Sequence, residues 1–230
     1  PCRVVCDYNF VMSPADARNE ILASHRLPEY ATIIARRLRE EADRRCGFYA
    51  DMTDEEKMEF IDGDVVMHSP AKNRHSMASK HLLMLLQTWV SGRDDGLVHV
   101  EKALCVFTRN DYEPDLVYFG GEKAKAIRPD TMKFPVPDFV VEILSKSTED
   151  RDRGVKFEDY ASHGVGEYWI VDPDEESIEQ YLLNTDGDYK LKLKMSSGEI
   201  TSPVISGFTI PIRAVFDADS NRLAVAHLLR

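Results

Sequence analysis

Three carboxylates stand on apolar stretches of this chain: Glu59 within Met58-Glu59-Phe60-Ile61, Asp115 ahead of Leu116-Val117-Tyr118-Phe119, and Glu142 inside Phe139-Val140-Val141-Glu142-Ile143-Leu144. A fourth, Asp138, follows Pro137 at the head of the last stretch. These stretches read as β-strands bound for an interior, where an unpaired ionised carboxylate is costly or shifts its pKa until it is neutral. Strand alternation puts Asp138, Val140, Glu142 and Leu144 on one face and Phe139, Val141 and Ile143 on the other. A lysine, an arginine or a metal ion should therefore meet the acidic face. If Glu59, Asp115 and Glu142 converge, their hard oxygen atoms suit Mg²⁺ or Mn²⁺, ions that keep water ligands and can activate one against a phosphodiester. Taken singly, Glu59 and Asp115 also read as solvated groups at strand ends, Asp138 as a strand opener and Glu142 as a salt-bridged core acid.

The elements that must position these acids follow from periodicity. Residues 14–47 read as helical, with Pro28 at a helix start, Ile33, Ile34, Leu38 and Ala42 spaced by three or four, and Gly47 as the stop. A section opening at Met52-Thr53-Asp54-Glu55 runs through Glu59 to Asp62-Gly63, a hairpin signal, and returns as Val65-Val66-Met67. Asn73 or Ser76 caps a helix carrying Met77, Leu82, Leu85, Leu86 and Trp89 up to Gly92. Extended segments at 97–107 and 115–119, a polar loop at 120–136 and the strand at 138–144 come next. A helix from Glu149 to His163 follows, capped by Ser147 or Thr148 and closed by Gly164. Strands at Tyr168–Val171, Ser177–Leu183, Tyr189–Met195 (after the Asp186-Gly187 turn) and Phe208–Ile212, then an amphipathic end at Leu223–Leu229, complete an α/β pattern with a mixed sheet. Residues 1–50 read as an N-terminal helical extension and 51–230 as one domain.

Composition narrows the function. A formal net charge of −11 does not fit a protein whose affinity comes mainly from phosphate contacts. Cys2, Cys6, Cys46 and Cys105 form no CxxC pair and no zinc spacing, and read as reduced structural thiols. No apolar run reaches the length of a membrane span and no signal pattern is seen, so the expected location is the cytoplasm, with no membrane partner.

Longer motifs carry a resemblance. Pro114-Asp115, 26 intervening residues and Glu142-Ile143-Leu144 are similar to the PD-(D/E)xK nuclease signature. YEPDLVYF, PVPDFVVEILSKSTEDRDRGVKFEDYASHGVGEYWIVDP and MEFIDGDVVMHSP with a following His75 resemble the Uma family of restriction endonucleases, over roughly residues 52–195. The resemblance implies a restriction-endonuclease-like fold, a mixed central sheet flanked by helices, with metal-binding acids at Asp115 and Glu142. Glu59 matches the family's glutamate ahead of the Asp-Gly turn, and His75 its histidine at the opening of the next helix. The lysine slot of the signature holds Leu144, which can neither orient a water nor stabilise charge on phosphorus. The family pattern offers Lys156 instead, sharing a helix face with Asp152 and Tyr160 at four-residue spacing. Lys146, on the strand parity of Glu142 if the strand runs that far, is a rival. Ser145 and Ser147 hold the strand-to-helix turn or touch phosphate, and Asp138 supports the turn or Lys156.

The expected function is a metal-dependent endonuclease acting on DNA, with Mg²⁺ or Mn²⁺ on Asp115 and Glu142, Glu59 helping through a water or a second ion, and Lys156 steadying the phosphate or the water. Homodimerisation is expected by analogy, because duplex cleavage needs two cuts. Two rivals stay open: a catalytically weak or inactive nucleic-acid-binding or interaction protein on a nuclease fold, and a structural dimerisation domain whose acids form buried ion pairs.

Overall fold

The computed structural model describes residues 14–53, 56–93 and 95–230. Cys2, Cys6, Asp54 and Glu55 lie outside the described residues. Two compact units divide between Ala50 and Asp51. The first carries α1 (Pro14–Ala23) and most of α2 (Leu27–Asp51). Helix α2 runs through Gly47, the expected stop. A glycine inside a helix costs about 1 kcal/mol, which good helix formers on either side outweigh.

The second unit begins with a hairpin, β1 (Met58–Ile61) and β2 (Asp64–Met67). Asp62 and Gly63 both take positive φ, 52° and 90°, as the two-residue turn requires. Helix α3 (Asn73–Arg93) follows and passes Gly92 by one residue. Positive φ at Glu101 and Lys102 splits the expected 97–107 segment into β3 (Leu97–Val100) and β4 (Leu104–Val106). Next are β5 (Asp111–Tyr112), β6 (Leu116–Phe119), α4 (Gly121–Ala126), β7 (Lys133–Phe134) and β8 (Phe139–Ile143). The expected loop at 120–136 thus holds a short helix and a short strand.

The helix expected from Glu149 to His163 is broken into α5 (Glu149–Asp152) and α6 (Val155–Ser162). The break falls at Gly154, where a Cβ would meet the Asp150 carbonyl oxygen at 2.7 Å. Strands β9 (Glu167–Asp172), β10 (Ser177–Leu183) and β11 (Tyr189–Met195) come next. A small pair, β12 (Glu199–Thr201) and β13 (Thr209–Pro211), leads into α7 (Arg213–Phe216) and α8 (Ala218–Leu228).

Six strands form the sheet β11-β10-β9-β8-β6-β3, in which β8 and β9 are parallel and the other pairs antiparallel. A five-stranded sheet has the order β2-β1-β5-β4-β7. This is the mixed α/β class expected, with two larger sheets where one was anticipated. Strand β8 explains its own sequence: Phe139, Val141 and Ile143 pack with α3, α7 and α8, while Val140 and Leu144 pack with Tyr160, Cys105 and Tyr112 on the opposite face. A strand buried on both faces must be apolar throughout, which isolates Glu142 as an exception. On the first face His81 Nδ1 lies 3.0 Å from the Val215 carbonyl, and Asn221 donates to the His81 carbonyl at 3.1 Å, tying α8 to α3.

Candidate active site

Strands β6 and β8 pair Leu116 with Val141 and Val117 with Val140, and the next step of that antiparallel register sets Asp115 opposite Glu142. Facing residues of such a pair point to the same side. The Ile143 N–H donates to Asp115 Oδ2 at 2.8 Å, fixing the aspartate at the strand edge. Asp115 is 5% exposed and Glu142 3%.

Cations meet both acids. Lys57 Nζ lies 3.0 Å from Asp115 Oδ1, and His75 Nε2, from the first turn of α3, lies 3.1 Å from Oδ2. Glu142 Oε1 accepts from Lys156 Nζ at 3.0 Å and from the Tyr160 hydroxyl at 2.7 Å. Lys156, 2% exposed, also stands 2.8 Å from Glu59 Oε1 and 3.5 Å from Asp152 Oδ1. Glu59 has no exposed surface. Its Oε1 accepts the Glu113 N–H at 2.9 Å, and its Oε2 lies 3.0 Å from His68 Nε2.

The electrostatics follow from this placement. Burial drives Glu142 up to about 8, because the charges of Asp152, Asp115 and Glu59 add to desolvation and outweigh Lys156. Burial also opposes ionisation of Glu59, but Lys156 and His68 overcome it and hold this acid at about 2. Asp115 is likewise desolvated, yet Lys57, His75 and the Ile143 N–H keep it well below the usual carboxylate range. Desolvation works against the charge on Lys156 and is overcome by Glu142, Glu59 and Asp152, so its pKa is raised.

Asp115, Glu142, Lys57, His75 and Lys156 all line one cavity of about 710 Å³. Among the described residues no three His, Cys, Asp or Glu side chains form a ready-made metal cage. Two acids do fit an ion that keeps most of its waters, as Mg²⁺ does. Four carboxylates, Glu59, Asp115, Glu142 and Asp152, meet two lysines, Lys57 and Lys156, and two histidines, His68 and His75, so full ionisation leaves a surplus of negative charge, one that a divalent ion would balance, only while the histidines are neutral.

The remaining candidates fall in different places. Asp152 and Tyr160 share the Lys156 face as their spacing suggests, despite the break before α6. Asp138 does not reach Lys156: it accepts the Gly120 N–H at 2.7 Å and Lys123 Nζ at 2.6 Å, and so holds the turn before α4. Lys146 does not share strand parity with Glu142, because β8 ends at Ile143; it is exposed in the following turn. Leu144 packs in the apolar core, and its N–H donates to the Val171 carbonyl at 2.8 Å. Thr148 precedes α5 without a side-chain cap, and Ser145 organises the turn, its carbonyl accepting the N–H groups of Thr148 and Glu149. Sequence reasoning missed Lys57 and His68. Lys57 had a readable signal, since it lies two residues before Glu59 and so shares its side of an extended chain; His68 had one too, since the hairpin register sets Val66 opposite Glu59 and His68 lies two residues past it.

The fold is that of a nuclease-like α/β protein: it matches the crystal structure of a "putative nuclease belonging to DUF820" from Anabaena variabilis with a TM-score of 0.63, at 19% identity, over 74% of this chain and 94% of that one. Residues 39–213 match the Uma2 family, described as "Putative restriction endonuclease", and the chain belongs to that family. An uncharacterized protein of Synechocystis sp. is 32% identical over 136 residues, 58% of this chain and 70% of the relative. The family match begins inside α2, earlier than the 52–195 span of the motifs, so the end of that helix belongs to the shared sequence. No described helix is long and apolar enough to cross a membrane.

Proposed function

We propose that this protein hydrolyses phosphodiester bonds in DNA with Mg²⁺ or Mn²⁺ held by Asp115 and Glu142. The observation that carries the reading is the Asp115–Glu142 pair, set face to face by the β6–β8 register on the wall of a cavity, with Lys156 Nζ 3.0 Å from Glu142 Oε1. Bound there, the ion would lower the pKa of a water and stabilise charge on the phosphate oxygens.

The chain's own groups prepare the site. Lys57 and His75 keep Asp115 ionised, so it offers a charged oxygen without waiting for a proton to leave. Tyr160 and Lys156 fix the Glu142 carboxylate in one orientation. Lys156 takes the part that the side chain at Leu144 cannot, presenting an ammonium to the scissile phosphate from α6. We assign Glu59 and Asp152 to holding Lys156, since Glu59 is fully buried on its far contacts with Glu113 and His68. Family membership and fold support nucleic acid as the substrate class. For duplex DNA a homodimer is the proposed working unit, because each site cuts one strand.

Cleavage of plasmid and single-stranded DNA with Mg²⁺ or Mn²⁺ tests this, with Glu142→Gln and Lys156→Met as controls. The rival, a binding protein on a nuclease fold, has one observation in its favour: both oxygens of Asp115 already carry side-chain partners, Lys57 and His75. It predicts DNA binding with no cleavage by the unaltered protein.

A further inference from the structure

The cavity has a second polar wall, made by the turn that joins β8 to α5. Ser145 Oγ lies 3.1 Å from Ser147 Oγ and 3.0 Å from Thr148 Oγ1, so three hydroxyls gather there. Arg151 lines the same cavity, and its Nε is buried with no hydrogen-bond partner among the described residues. Acidic residues, 40 of them, outnumber the 29 lysines and arginines of this chain. Arg74, Arg109, Arg153 and Arg222 each pair with a carboxylate. A buried donor left unpaired costs free energy, so a ligand that supplies acceptor oxygens is favoured at this spot. The planar guanidinium fork matches phosphate, and hydroxyls complete such a contact. Exposed Lys146, on the same wall, adds positive charge.

We propose that Arg151 and the Ser145–Thr148 turn bind a phosphate group of the substrate next to the one presented to Asp115 and Glu142. This inference rests on the phosphodiesterase reading of the site and adds a subsite to it. Arg151 is a positioning residue: Glu142 and Lys156 lie at the chemistry, and Arg151 sets the register of the strand by holding a neighbouring phosphate. The chemistry recognised is phosphate, available from a nucleic acid strand or as the free ion.

Fluorescence anisotropy of a short labelled single-stranded oligodeoxynucleotide, in EDTA so that no cleavage occurs, tests it. Arg151→Gln should weaken binding about tenfold or more and lower the slope of log affinity against log salt by about one, as expected for one lost phosphate contact. Arg151→Lys should keep the slope and part of the affinity, an outcome a merely structural arginine would not give. Inorganic phosphate as competitor separates the two sources. Displacement from the unaltered protein makes free phosphate a sufficient ligand, whereas its failure beside Arg151-dependent oligonucleotide binding makes the strand the ligand; both support the site. Equal affinity and equal salt slope in Arg151→Gln overturn the proposal, as does the absence of binding to either probe. If the protein cleaves DNA with a KM that Arg151→Gln leaves unchanged, the subsite falls and the nuclease reading stands. Arg151-dependent binding with no cleavage under any metal leaves the subsite and removes the nuclease reading.

Discussion

Lys156 and Glu142 meet at 3.0 Å in the interior, the lysine from α6 and the glutamate from β8, with Glu59 of the hairpin 2.8 Å from the same ammonium. A lysine taken this far from water is stable only among acids, and these acids are stable only beside the lysine. Lys156→Met should therefore destabilise the fold by about 3–5 kcal/mol, the cost of stranding buried charge, and abolish cleavage. Urea unfolding measures the first; a loss below about 1 kcal/mol would mean that the acids are neutral or hydrated and that Lys156 does not organise them.

Gly154 sets the break that separates α5 from α6. Because a Cβ there meets the Asp150 carbonyl oxygen at 2.7 Å, Gly154→Ala should cost about 1–3 kcal/mol and slow cleavage through a displaced Lys156. Thermal melts together with initial rates check both. An alanine variant as stable and active as the parent would show that the backbone yields without moving the lysine.

Glu179 gives a pH dependence away from the candidate site. Burial raises its pKa, but two bonds from Arg153, the Tyr181 hydroxyl and Lys194 outweigh that and hold it at about 2, against an ordinary value of 4.5. A carboxylate with a lowered folded-state pKa contributes stability in full above its unfolded value and loses it as pH falls through the folded one. Unfolding free energy should therefore fall between about pH 4.5 and pH 2, and less steeply in Glu179→Gln. Identical acid limbs for the two proteins would refute the assignment.

Much of this architecture was readable from residue types. Period-two alternation in 138–144 separated the two faces of β8, and four-residue spacing aligned Asp152, Lys156 and Tyr160, because both patterns are local. Lys57 was not found, since its meeting with Asp115 depends on how a hairpin packs against a sheet; His68 meets Glu59 inside the hairpin, two residues past Val66, the partner of Glu59. Asp138 shows the same limit: it lies one residue before β8, and its partner, Lys123, comes from a helix hidden inside an apparent loop. Gly47 and Gly154 reversed expectation because glycine marks a helix end only where the chain must turn or approach closely; Gly47 has no atom within 4 Å of a built Cβ, and Gly154 has one at 2.7 Å.

The most direct test of the central claim is cleavage of supercoiled plasmid by the purified protein with Mg²⁺ or Mn²⁺, compared with EDTA and with Glu142→Gln, alongside the metal-induced shift in melting temperature. An ion that binds only the folded state must raise the melting point. The account predicts metal-dependent nicking and a metal-dependent rise in melting temperature, both lost in Glu142→Gln. Cleavage that persists in Glu142→Gln, or metal uptake at an unchanged melting temperature with intact DNA throughout, would contradict it.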